Sequence, residues 1–319
     1  MIPTSNRREF IKVGLAAAAV AVSGPAGFLV APDAYGETFP DVVITRGPDP
    51  AQNTRAAIKA LGGIRRFVKP GNKVVLKPNM SFDRKPEDAC NTNPAVVAEV
   101  ARLCAEAGAS RIAVLDNVLR SPSDCLRLSG IADACKDIPN TTVANVQADR
   151  LFRKVDVPQG RQFKSLKVMT EVVNADVLIA VPVGKSHSQA KVSLSMKGMM
   201  GLILERGPFH GRYELHDAIV DMVTVLKPHL VVIDGTRILS TGGPGGPGQV
   251  IPLDIVIAST DMVAADAQMV ALGTWGGKRL SPQEIPHIRI AAERGLGRID
   301  LDKLNIRTVR LGPGPAIVG

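Results

Sequence analysis

Lys73-Val74-Val75-Leu76-Lys77-Pro78-Asn79 opens the part of the chain that decides the fold. It is a short apolar run closed by proline, which reads as a strand buried on both faces. Asn93-Pro94 then forms an N-cap with proline at the first helical position, and helical spacing runs from Ala95 to Ala107 until Gly108 stops it. Arg111 to Asp116 is the next apolar strand, and it ends in an acid. Strand, helix and strand in this order make a parallel pair with its crossover helix on one face.

The same alternation extends outward. Val42 to Thr45 suits a strand, and Thr54 to Phe67 has helical spacing with Ala57, Ile58, Leu61 and Ile64 on one side. Asp176 to Val181 is a strand closed by Pro182, Leu215 to Leu226 an amphipathic helix, and Leu230 to Asp234 a strand. Asp254 to Ser259 adds a strand and Met262 to Leu272 a helix, with Asp261 as its N-cap. The expectation is an α/β fold, a largely parallel sheet covered by helices on both faces, built as a single large or two interlocked lobes. Ligands bind such sheets beyond the carboxyl ends of the strands. Lys77, Asn79, Asp116, Lys185, His187 and Asp234 stand at those ends and are the first site candidates.

Asn6-Arg7-Arg8-Glu9-Phe10-Ile11-Lys12 resembles the twin-arginine (Tat) export signal, which carries proteins already folded. The Ala/Val-rich stretch from Val13 to Val30 is diluted by Ser23, Gly24, Pro25 and Gly27, as a signal core tolerates and a stable span does not. Ala34-Tyr35-Gly36 offers small residues to a signal peptidase, so residues 1–36 read as the signal and 37–319 as the α/β domain. An uncleaved N-terminal anchor is the other reading. Export implies the twin-arginine translocon as a partner and a periplasmic or exterior location. After cleavage no stable membrane span is expected, since Lys191 and Lys197 interrupt the longest remaining apolar segment.

The formal charge is +9, of which the signal carries one unit. A basic balance suits an anionic small molecule or an acidic protein partner. Nucleic acid is not expected, because aromatic residues are only 3% and few bases could stack. Cys90, Cys104, Cys125 and Cys135 include no C-x-x-C pair, so a self-contained iron–sulfur cluster is not expected. An oxidising compartment would allow them up to two disulfides, whereas Cys104, on the apolar stripe of its helix, reads as a buried thiol.

Three segments carry candidate chemistry. The first runs from Lys185-Ser186-His187 through Ser193, Ser195 and Lys197 to His210 and His216. Its lysines can hold a phosphate or carboxylate, and its imidazoles can transfer protons or bind a divalent metal through His187, His210 and His216. The spacing matches no tight metal template, and His210 and His216 also read as plain loop histidines. The second is the Gly/Pro run from Thr241 to Gly248, either a lid or a surface connection. The third is Asp266, one turn into an apolar helix, which could be a ligand or base.

Several motifs, in order, resemble those of the family called domain of unknown function 362. They are Val75-Leu76-Lys77-Pro78-Asn79, Asn91-Thr92-Asn93-Pro94, Pro182-Val183-Gly184-Lys185-Ser186-His187 and Ser195-Met196-Lys197-Gly198-Met199-Met200-Gly201. Lys227-Pro228 before Val232-Ile233-Asp234-Gly235, the Gly-Gly-Pro loop, and Ser259-Thr260-Asp261 through Ala265-Asp266 continue the match. The resemblance implies an α/β fold and settles no reaction. Many relatives add a ferredoxin-like iron–sulfur module, which this chain lacks, and Gly198 stands where the pattern has Asn.

Two function classes follow. One is an enzyme on an anionic small molecule, with Lys77, Lys185 and Lys197 as anchors, Asn79 and Ser195 as further ligand contacts, His187 as acid–base, and Asp234 or Asp266 orienting it or holding a metal. The other is a non-catalytic binding or accessory protein, such as a cofactor carrier or a maturation factor for an exported redox complex. Replacing Arg7 and Arg8 by Lys tests the export reading: full-length precursor should accumulate in the cytoplasm, and an unchanged exported yield overturns it.

Overall fold

The computed structural model describes residues 39–312 and 314–318, so the candidate signal lies outside the described residues. In chain order the strands are β1 (Val42–Arg46), β2 (Lys73–Pro78), β3 (Arg111–Asp116), β4 (Thr141–Asn145), β5 (Phe152–Asp156), β6 (Ser165–Met169) and β7 (Val177–Val181). They continue with β8 (Val183–His187), β9 (Lys191–Ser193), β10 (Leu230–Leu239), β11 (Val250–Ser259), β12 (Ile306–Gly312) and β13 (Gly314–Val318). One large sheet has the order β13-β12-β1-β11-β10-β7-β2-β3-β4, with β8 and β9 attached beside β10; β5 and β6 form a separate hairpin. The sheet is mixed but mostly parallel: β7, β2, β3 and β4 all run together with β10.

Alternation along the buried strands sends side chains to two cores. Val74 and Leu76 join Ala57, Ile58, Val96, Val97 and Val100 from the helices Pro50–Ala60 and Pro94–Glu106. Val75 joins the opposite core with Ile219, Val263 and Ile288 from the helices Leu215–Val223, Met262–Leu272 and Pro286–Glu293. Both cores share one sheet, which makes the described chain a single large α/β unit. The expected caps are present: Asn93 accepts from Ala95 N at 3.0 Å, and Asp261 from Val263 N and Ala264 N at 2.8 and 3.0 Å.

Three expectations are corrected. The helix expected over Thr54 to Phe67 is Pro50–Ala60, because Gly62 and Gly63 take φ of 102° and 80° and break it before a 3-10 turn at Ile64–Arg66. The strand expected to end at Asp234 continues to Leu239 and returns as β11 antiparallel to both β10 and β1. The short Gly/Pro connection has no crossover helix, so the chain can only double back. The helix expected over Leu215 to Leu226 ends at Val223. Among the described residues no helix is long and apolar enough to cross a membrane.

All four cysteines are buried and free, so the disulfides an oxidising compartment would allow are not formed. Burial pushes the Cys104 thiol up to about 12 and those of Cys125 and Cys135 to about 11. The native protein should therefore react slowly with a thiol reagent, and denaturation without reductant should release all four thiols. Fewer in a carefully handled sample would contradict the free state.

Candidate functional site

Parallel neighbours in register bring the ends of β2, β3 and β7 to one edge: Pro78 lies opposite Val181, and Leu76 opposite Val114. Pro182 interrupts β7, and the chain resumes as β8, carrying Lys185 and His187 beyond the sheet end. A cavity of about 320 Å³ opens there, within the range of small-molecule sites. Lys77, Asn79, Lys185, His187, Lys197 and His210 all line it, together with Asp116, Ser81, Phe82, Ser193 and Arg206. More than a hundred positions of sequence separate Lys77 from His187, so the shared cavity is a product of the sheet.

Its three lysines are held differently. Lys77 Nζ lies 3.2 Å from Asp116 Oδ1 in a fully buried ion pair, and also donates to the Pro78 carbonyl. Lys185 Nζ donates to the Cys90 carbonyl at 2.7 Å and sits 4.7 Å above the Phe82 ring. Lys197 is only 8% exposed, yet among the described residues its ammonium has neither a hydrogen-bond acceptor nor a carboxylate partner. Burial, then the charges of Lys185 and Arg206, push it down to about 7; burial pushes Lys185 down to about 8. Arg206 donates to the carbonyls of Asn117 and Val118, so its charge meets no carboxylate hydrogen bond.

The two cavity imidazoles are also distinct. Backbone N–H groups of Gln189 and Ala190 donate to His187 Nδ1 at 3.2 Å each, which fixes the ring proton on Nε2. Burial, then Lys197 and His210, push His187 down to about 3, so the ring is neutral and offers Nε2–H as a hydrogen-bond donor. His210 lies parallel to it, ring centres 5.9 Å apart, with Nδ1 2.6 Å from Gln189 Oε1. An amide oxygen only accepts, so Nδ1 carries the proton and His210 Nε2 keeps its lone pair. His210, half-exposed, is the ring suited to carry protons. Asn79 Oδ1 accepts from Val183 N at 3.0 Å, and its amide nitrogen makes no hydrogen bond among the described residues.

Other candidates lie elsewhere. Asp234 is fully buried outside the cavity, where it accepts from Asn93 N, Thr236 N and Thr236 Oγ1. Asp266 is equally enclosed, pushed up to about 7 by burial, and accepts from Ser195 N and Met196 N at 2.9 and 3.0 Å. It thereby anchors the turn that presents Lys197. Ser195 is buried outside the cavity, its hydroxyl turned to Met262 O; Ser193 lines the wall instead. His216 pairs with His287, Nδ1 to Nδ1 at 3.2 Å, away from the cavity lining. Among the described residues no three His, Cys, Asp or Glu side chains gather to hold a metal, so His187, His210 and His216 do not form the expected ligand set.

Arg206 and Phe82 carried no sequence signal. Arg206 sits in a loop with no strand end or helix phase to mark it, and Phe82 follows the strand end by four residues. Asp116 was marked by its strand end alone.

The family model described as "Domain of unknown function (DUF362)" matches residues 74–271, and the chain belongs to this family. A thylakoid-associated protein of Synechocystis sp. is 29% identical, over 76% of this chain and 74% of that protein. Among solved structures, the lactate racemase apoprotein of Thermoanaerobacterium thermosaccharolyticum is similar over 72% of this chain and 57% of its own, with 11% identity and a TM-score of 0.43. A Thermotoga maritima protein is similar over 86% and 54%, with 12% identity and a TM-score of 0.36. The chain thus spans little more than half of either structure.

Gly201 is where the site meets the backbone most closely. A Cβ built there would lie 2.0 Å from Asp116 Oδ1 and 2.3 Å from Lys77 Cε. Gly201→Ala should therefore push the buried pair apart and destabilise the fold by about 1–3 kcal/mol. Gly198→Ala, whose Cβ would meet nothing closer than 3.9 Å, is the control and should be near neutral. Equal denaturant midpoints for the two variants would contradict this packing.

Proposed function

We propose that this member of the family is an enzyme that binds a small carboxylate or phosphate ester in the strand-end cavity and moves protons on it. The observation that carries the reading is the unbalanced charge: Lys185, Lys197 and Arg206 line the cavity, while its one carboxylate, Asp116, is already engaged by Lys77. Buried cations are expensive without an anion, so a ligand that supplies one is strongly favoured. Arg206, held in place by its bonds to Asn117 and Val118, offers its charge and its remaining N–H groups, and Lys185 a point charge, to the anionic group. His187 Nε2–H donates to an oxygen on which charge develops, and His210 Nε2 takes and returns protons. Asn79 Nδ2 and the hydroxyls of Ser81 and Ser193 orient the remainder. The chain is taken to work outside the cytoplasm, on the strength of its twin-arginine segment.

Binding requires charged lysines. Lys197 loses its proton near 7 and Lys185 near 8, whereas His187 is neutral throughout, so anion affinity is full below about 7 and falls as pH rises through 8. Calorimetric titration with inorganic phosphate and propionate should show this fall. Arg206→Gln should weaken binding at least tenfold, about 1.4 kcal/mol. Affinity independent of both pH and Arg206 would overturn the site. Binding with no conversion of any carboxylate or phosphate ester offered would make the protein a carrier.

A further inference from the structure

The three cavity lysines separate by what holds them. Lys77 has a carboxylate, Lys185 has a carbonyl and an aromatic face, and Lys197 has neither. An amine buried at 8% exposure with no acceptor among the described residues is favoured as the neutral, lone-pair form unless an anion arrives. A neutral amine beside other cations, in a cavity that holds an anionic group, is the arrangement that makes lysine a nucleophile toward carbonyl carbon. Asp266 fixes the turn Ser195–Gly198 through two backbone N–H groups, so the nucleophile stands on a braced element. Gly198, next in sequence, also lines the cavity, with no side chain of its own to fill it.

We propose that Lys197 is a catalytic residue that forms a Schiff base with an α-keto acid, the carboxylate held by Arg206 and Lys185 and the keto oxygen facing His187. The inference rests on the anion-site reading above and names its substrate class. Nζ of the ammonium gives a proton to His210 Nε2 and attacks the keto carbon, forming the C–N bond. The carbonyl electron pair moves to oxygen, where His187 Nε2–H supports it as a hydrogen-bond donor. His210 returns the proton to that oxygen, then carries across a second from Nζ. The C–O bond breaks, water leaves with both protons, and the iminium remains; no oxidant or reductant takes part. The iminium withdraws electrons from the neighbouring carbon, which is what proton abstraction or decarboxylation there requires.

Borohydride reduction in the presence of pyruvate tests this on the full folded chain. Reduction should leave a single stable adduct, and peptide mass mapping should place it on Lys197. Lys197→Met should abolish it while keeping the wild-type circular dichroism spectrum. Propionate, which has the carboxylate but no carbonyl, is titrated in parallel. Propionate binding with no pyruvate adduct would overturn the nucleophile and leave the anion site standing; failure of both would overturn the two together. An adduct on Lys185, or adducts scattered over surface lysines in the Lys197→Met variant as in wild type, would also refute the assignment.

Discussion

The end of β3 holds the site together through Asp116 and Asn117. Asp116 accepts from Met80 N and Ser81 Oγ, which folds the segment after β2 over the sheet edge, and its other oxygen faces Lys77. Asn117 N donates to Gly201 O at 2.8 Å, its amide nitrogen donates to Ile203 O, and its carbonyl receives Arg206. Two adjacent residues thus position the cavity floor, the glycine turn and the Arg206 guanidinium. Removing one member of a buried pair such as Lys77–Asp116 leaves the other charged and unsolvated, on the order of 3–5 kcal/mol. Stability and ligand geometry therefore reside in the same few atoms.

That arrangement leaves the cavity positive by construction. Among the described residues each cation beyond the first pair has only dipoles as direct partners, carbonyls for Arg206 and a carbonyl and a ring face for Lys185, and Lys197 has no acceptor. Such dipoles reduce the desolvation cost without cancelling it. The sheet makes the cost tolerable, because two large apolar cores lie on its faces and the cations sit only at its edge. The donors that bias His187 are backbone N–H groups of its own turn, so its tautomer follows from chain path and not from a distant partner.

Much of this was legible because strand-end chemistry leaves a periodic mark. Apolar runs located β2, β3 and β7, and the polar residues closing them, Lys77, Asn79 and Asp116, are where a parallel sheet presents them. Lys185 and His187 were found because Pro182 closes a run just before them. Arg206 was not legible, since its place depends on carbonyls of Asn117 and Val118 that only the folded chain supplies. The antiparallel return of β11 was hidden for a related reason: Thr236 and Arg237 look like a loop start, yet Arg237 resumes the ladder opposite Pro252 past an irregularity at Thr236. Asp234 was a candidate because it closes an apolar run, and Asp266 because it stands one turn into an apolar helix. Their purpose is to accept backbone N–H groups, a demand that leaves no trace in residue type.

Gly198 connects the departure in sequence to the chemistry of the site. The resemblance implies Asn at this position, and a Cβ built there would stand at ordinary contact distance from Pro182 Cβ (3.9 Å) and Asn79 Nδ2 (4.0 Å). A side chain there would grow toward Asn79 Nδ2, which makes no hydrogen bond among the described residues. A bond to it would occupy a group that lines the cavity wall. Glycine keeps the Asn79 amide without a partner among the described residues, at the expense of a hydrogen bond worth about 0.5–1.5 kcal/mol. A chain that forgoes this bond at a cavity wall retains the Asn79 amide for the ligand, and a glycine in the lining takes up less of the room than an asparagine would.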